Sequence, residues 1–157
     1  LITHGHYDHL DLPSLRRLGR HTRLLVPEGH ARWLARRGFT RVDEVAWWND
    51  IELASGLRVV ATPAQHFTAR TPFDRNRGHW CGYRIEGGGA SLWHAGDSGW
   101  CPVFAEIGER LGGVDFGMIR YQDGVADNTR IEGIEPDLVV RPFGRKGQFA
   151  TTRDFGA

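Results

Sequence analysis

Lysine, sulfur and long apolar runs are all scarce in this sequence. Of 20 basic residues only Lys146 is a lysine, and the arginines are scattered along the chain. That bias reads as a GC-rich coding sequence rather than a binding surface. With 19 acidic residues the formal net charge is +1, so electrostatics give no case for a nucleic acid or an anionic membrane partner. Cys81 and Cys101 are the only cysteines. Two isolated thiols exclude a disulfide framework and point to a reducing cytoplasm. No stretch reaches the length of a transmembrane span, and none reads as a signal peptide. The apolar fraction is nevertheless 40%, enough for a packed core, and 157 residues suit one domain.

What is abundant is histidine, concentrated at the start. In Thr3-His4-Gly5-His6-Tyr7-Asp8-His9 three imidazoles and a carboxylate fall within six positions, a density that belongs to metal ligation. Leu1 and Ile2 read as the end of a buried strand and Leu12 opens a helical pattern, so the string lies on a strand-to-helix loop. His4 and His6, two apart, point the same way in an extended segment and can grip one cation. Asp8 and His9 lie just beyond, where the chain turns, and can face a second. A polar loop capping the next helix would account for one histidine but not for the string. The carboxylate argues against a purely structural thiolate-type site and for a catalytic one.

Further along, Asp11 caps a predicted helix with Pro13 in its first turn, a Leu12, Leu15, Leu18 stripe and Gly19 as its stop. Arg23 to Val26 reads as a strand ending at Pro27, Glu28 to Arg37 as a second helix closed by Gly38, and Val42 to Trp48 as a strand. Ile51 to Leu53 and Leu57 to Ala61 are paired strands around Ser55-Gly56. The second of them runs into Thr62-Pro63-Ala64-Gln65-His66. Residues 68–79 form a polar loop that covers the site. Trp80 to Ile85 and Ala90 to Trp93 make a hairpin across three glycines. It delivers His94-Ala95-Gly96-Asp97-Ser98-Gly99. Pro102 starts a helix to about Leu111, Val114 to Ile119 is another strand, Leu138 to Val140 a last one, and residues 144–157 read as frayed.

His4, His6, Asp8 and His9, then His66, then Asp97 thus sit on three loops that each follow a strand, and strand-end loops of one sheet cluster at one edge. Read alone, His66 is an ordinary loop histidine and Asp97 a turn or cap aspartate. Beside the first string both read as ligands, with Asp97 bridging two cations. His94 is assigned to packing or to supporting a ligand from behind. His21, His30 and His79 are read as surface or loop histidines.

Three stretches carry a resemblance to the metallo-β-lactamase superfamily: Thr3 to His9, Thr62 to His66, and Ala95-Gly96-Asp97-Ser98-Gly99-Trp100. Within it, Thr62-Pro63-Ala64-Gln65-His66 and the run Gly96 to Gly108 look most like the N-acyl-phosphatidylethanolamine phospholipase D branch; the ascorbate-6-phosphate lactonase type is more distant. The resemblance covers about residues 1–119 and implies an α/β fold, an αββα sandwich with its metal site at one edge. His4, His6 and His66 would hold a first zinc, Asp8 and His9 a second, and Asp97 would bridge them. The implied activity is hydrolysis of a small-molecule or lipid-like phosphodiester through a metal-bound hydroxide, which Asp8 would steady.

Two departures qualify that expectation. The superfamily pattern has a further histidine ligand to the second metal after the bridging Asp, whereas this chain has no histidine beyond His94. Residues 120–157 resemble nothing in the pattern and read as an atypical tail behind a metal-binding domain at 1–119. The chain also opens without Met, inside what reads as a strand in need of neighbours. The sequence therefore reads as a fragment incomplete at both ends, with a weak second zinc site and turnover near background. Unpaired sheet edges would favour oligomers. The competing functions are a metal-binding relic without turnover, a lactonase-type hydrolase, and a non-enzymatic interaction module.

Overall fold

Alternating apolar residues build the sheets and spaced leucines build the helices. The computed structural model describes residues 1–114 and 116–118. Helix α1 (Leu12–Leu18) starts where the Asp11 carboxylate accepts the Ser14 N–H at 2.8 Å and stops at Gly19, whose φ of 100° suits a residue without Cβ. β1 (Leu24–Pro27), α2 (Ala31–Ala35) and β2 (Val42–Val45) follow, and β1 and β2 form a parallel pair. A second, five-stranded sheet runs in the order β3 (Asp50–Glu52), β4 (Arg58–Thr62), β5 (Gly82–Gly87), β6 (Ala90–His94), β7 (Phe116–Met118). Its first four strands are antiparallel to their neighbours, whereas β7 runs parallel to β6 after the helix α3 (Val103–Leu111).

Three apolar clusters show how the layers stack. Leu24 and Val26, on one face of β1, pack with Leu15 of α1 and Leu34 of α2. Leu25, on the opposite face, packs with Val59, Ala61, Cys81 and Tyr83 of the second sheet. Trp93, on the far side of that sheet, packs with Ile107 of α3. Helices, sheet, sheet, helix is the αββα order, and the period-2 alternation of β1, β4 and β5 serves two interfaces at once. Each such buried Leu, Ile or Val contributes about 1.5–3 kcal/mol.

Several expectations need correction. Leu1 and Ile2 are not strand. Ile2 is nonetheless buried, its N–H donates to the Leu25 carbonyl at 3.0 Å, and the Thr3 carbonyl accepts from the Cys81 N–H at 2.9 Å, so this segment ties the two sheets together. The Tyr83 hydroxyl adds a 2.8 Å bond to the Ile2 carbonyl. Helix α2 is shorter than its apolar pattern because Gly29 takes a φ of 89° in a turn, with room for no side chain: a Cβ there would lie 2.8 Å from the Gly78 Cα. β2 ends before Trp48 because that residue turns into the left-handed region at φ 70° and hands the chain to the second sheet, its N–H donating to the Ala61 carbonyl. Among the described residues no helix is long and apolar enough to cross a membrane. The strand expected at Leu138 to Val140, the frayed end at 144–157 and the rest of the tail from Arg120 lie outside the described residues.

Candidate metal centre

Three loops bring the site together, and backbone bonds hold them in register. The first leaves the Thr3 tie and closes a tight turn in which His6 C=O accepts from the N–H groups of His9 and Leu10, at 3.2 and 2.8 Å. That turn separates His4 and His6 from Asp8 and His9. The second loop, after β4, carries His66, and the third, after β6, carries Asp97. These two are joined directly: the Gly99 N–H donates to the Gln65 carbonyl at 3.0 Å, and the Gln65 N–H donates to the Ser98 hydroxyl at 3.0 Å. Gly96 permits the third loop its path, because at φ 68° a Cβ would lie 2.9 Å from the Cys81 carbonyl oxygen and 3.1 Å from the Thr3 Cβ.

The His4, His6 and His66 rings meet edge to face, and the His9 ring lies tilted against His4. His4 Nε2 lies 2.8 Å from His6 Nδ1, and His66 Nε2 lies 3.2 Å from the same atom. His9 Nε2 stands 3.3 Å from Asp97 Oδ1 and His66 Nε2 4.0 Å from Asp97 Oδ2. Two donor groups have the spacing of a metal shell: His4, His6 and His66, and His4, His9 and Asp97. His4 belongs to both. Asp8 is outside both groups, with its carboxylate 3.6 Å from His9 Nε2 and a side chain 67% exposed. His94 accepts the Gly96 N–H at Nδ1 (2.9 Å), so it braces the Asp97 loop.

The donor chemistry fits a divalent cation. His4 is 1% exposed, and burial, reinforced by the neighbouring His9, His66 and His6, depresses its pKa from 6.5 to about 2. Burial also lowers His6 and His66. All three are held neutral, the form that offers a lone pair to a metal. Thr3, which had no role assigned from the sequence, sits behind them: its Oγ1 is 3.0 Å from His4 Nδ1 and 3.2 Å from His9 Nδ1. In the tautomer that presents both Nε2 lone pairs to the site, this one hydroxyl accepts from both Nδ1–H groups and fixes both rings.

His30 corrects the reading of a surface or loop histidine. It is 7% exposed, its Nε2 pairs with the His79 carbonyl at 2.9 Å, and its ring packs under Gly5 and Gly78. Nothing in the local sequence of His30 marks it as buried, since its partners come from residues far along the chain. The loop 68–79 does lie against the site, held by contacts of Thr68 and Arg70 that sequence reading did not name.

A sequence profile described as the beta-lactamase superfamily domain matches residues 1–126. The chain belongs to the metallo-β-lactamase superfamily. Among curated proteins this superfamily member is 35% identical over 119 residues to the mitochondrial N-acyl-phosphatidylethanolamine-hydrolyzing phospholipase D of Saccharomyces cerevisiae, covering 71% of this chain and 25% of that protein. Among solved structures it resembles CmlA, a diiron β-hydroxylase from Streptomyces venezuelae (TM-score 0.59, 32% identity, 74% of this chain and 24% of that one). It also resembles Igni18, a metallo hydrolase from the archaeon Ignicoccus hospitalis (TM-score 0.57, 30% identity, 69% and 46%). The chain thus spans 25%, 24% and 46% of these three relatives, and its fold resembles that of the two solved structures.

Proposed function

We propose that this chain carries the centre of a zinc-dependent hydrolase acting on a phosphodiester in a small-molecule or lipid-like substrate. The observation that carries the reading is the convergence of five donors in two overlapping groups, with the Asp97 carboxylate offering one oxygen beside His9 and the other beside His66, the position from which a carboxylate can serve two cations. The phosphodiester is supported by the 35% identity to the yeast phospholipase D. On this reading His4, His6 and His66 hold one cation, His9 and Asp8 face a second, and Asp97 lies between them. Cations held there would polarise a phosphoryl oxygen and bring the pKa of water down to about 7. The chain's own groups do the rest. Thr3 fixes two rings, burial favours the unprotonated form of His4, His6 and His66, and the exposed Asp8 carboxylate accepts a hydrogen bond from the attacking water and orients it.

The test is hydrolysis of bis(p-nitrophenyl) phosphate by the purified chain, with and without chelator. Turnover that chelation abolishes and zinc restores supports the reading. A metal-loaded chain with no turnover assigns it to the metal-binding relic reading instead. Chelator-insensitive turnover overturns it.

Stoichiometry is a separate expectation. His4, His6, His66 and Asp97 make a four-donor set, the number zinc prefers, while the second position has His9, Asp8 and the shared Asp97. About one zinc per chain is expected to survive dialysis and a second to be lost. Two equally retained zincs by elemental analysis would contradict this. The same analysis decides the metal, for which iron is the alternative because CmlA is a diiron protein.

A further inference from the structure

We infer that Arg70, together with Thr68, is a positioning residue of the metal centre, clasping the His66-bearing loop onto the peptide between His4 and His6. The inference rests on the metal reading of that centre. Gly5 lies between the two ligands, and side chains from the other ligand loop take both of its backbone polar groups. Its N–H donates to Thr68 Oγ1 at 2.8 Å in a buried bond, and its carbonyl accepts from Arg70 Nη1 at 2.8 Å. The same Nη1 donates to the Leu10 carbonyl at 2.9 Å, beyond the turn that follows His6. One guanidinium therefore spans the ligand loop from before His6 to after His9.

The clasp is itself held. The guanidinium carbon lies 4.2 Å from the Tyr7 ring centroid and 4.5 Å from that of Trp33, so the group is wedged between two aromatics. Behind it, the Asp74 carboxylate accepts the N–H groups of Arg70 and Thr71, at 2.9 and 2.7 Å. Asn76 closes the loop through bonds to both backbone groups of Thr68. Nothing larger than glycine fits under the clasp, because a Cβ on Gly5 would meet Thr68 Oγ1 at 2.6 Å and the His30 ring at 2.9 Å. Rotation of the Gly5 peptide would swing His6 Nδ1 away from His4 Nε2 and His66 Nε2. Ligand geometry tolerates displacements of only about 0.5 Å, so Arg70 sets metal affinity without touching the metal.

The test uses the full chain with Arg70→Met, which keeps the aliphatic stem and removes the donors, and Thr68→Val, which removes the Gly5 acceptor at constant shape. The control is Arg58→Met, which breaks surface ion pairs to Asp50 and Glu86 on the second sheet. Zinc affinity is measured by chelator competition, the cobalt(II) absorption spectrum reports ligand geometry, and urea unfolding of the metal-free chain reports stability. Arg70→Met and Thr68→Val are expected to weaken zinc binding by about 10–100-fold, the range typical for residues that orient ligands, and to alter the cobalt spectrum. Arg58→Met is expected to lower the urea midpoint only. Wild-type affinity and spectrum in both Arg70→Met and Thr68→Val would overturn the inference, as would equal metal loss in Arg58→Met. A wild-type chain that holds no metal would sink the metal centre itself, a result distinguishable from either.

Discussion

His4→Ala is expected to empty the metal centre and to produce the largest fall in stability of any single histidine change. Three effects act together. The ring belongs to both donor groups, so its loss removes a ligand from each. It is fully buried, so truncation leaves a cavity. It also removes one of the two imidazole partners of the Thr3 hydroxyl. A metal present at a thousand times its dissociation constant stabilises by about 4 kcal/mol. For a chain of this size that is about 8–16 °C in Tm, before the cavity is counted. His6→Ala and His66→Ala act in the same direction through one group only. His21→Ala, at the surface, should change neither metal content nor Tm. His30→Ala should lower Tm because it empties the space beneath Gly5, yet leave metal content intact at saturating zinc. Scanning calorimetry with elemental analysis checks the series. If His30→Ala lost zinc as readily as His6→Ala, the ligand assignment would be wrong.

The metal-free chain is expected to lose stability steadily as pH falls below about 6.5. In the folded state burial and neighbouring imidazoles depress His4 from 6.5 to about 2, and burial lowers His6, His66, His30 and His94 as well. The unfolded chain therefore binds more protons than the folded one at every pH between those limits, and stability must rise with pH across the window. The contribution is complete above the unfolded value of 6.5 and is lost as pH drops towards the folded one. Below about 4 the loss steepens, because Asp74 and Glu86 are held below the ordinary carboxylate range by hydrogen bonds, to backbone N–H groups for Asp74 and to Arg84 for Glu86. Metal adds to the same trend, since a protonated imidazole cannot ligate. Urea midpoints of the chelated protein from about pH 8 to 5 test this. A midpoint unchanged over that range would show that the histidines are not held neutral by the fold.

Much of this was legible because the relevant signals are local. The α1 boundaries follow from Asp11, Pro13 and Gly19, which act within one turn. The β5–β6 hairpin follows from its glycines, and the ligand string from its density. What was not legible depends on partners distant in sequence. Leu1 and Ile2 looked like strand because they are apolar, yet Ile2 gives its N–H to β1 and takes the Tyr83 hydroxyl of β5 at its carbonyl, one bond to each sheet. Trp47 and Trp48 extend the apolar alternation of β2, but a left-handed Trp48 ends it. His30 and Arg70 carry no local mark of their roles, since Gly5, Gly78 and Leu10 become their neighbours only after folding. Asp8 could be placed on the ligand loop from sequence, but its exposed position beside His9, outside the His4 groups, needed the fold.

The spacing of the ligands along the chain also governs when the centre can form. His4, His6 and His9 are neighbours in the backbone, while His66 and Asp97 join them through contacts across some 60 to 90 positions. Closure of such long loops is slow and comes late in folding. The short histidine string, by contrast, exists in the unfolded chain and can chelate zinc there. Affinity for the denatured ensemble subtracts from the stabilisation that zinc confers on the native one. Excess zinc during refolding should therefore slow recovery of the folded chain, while zinc added afterwards protects it.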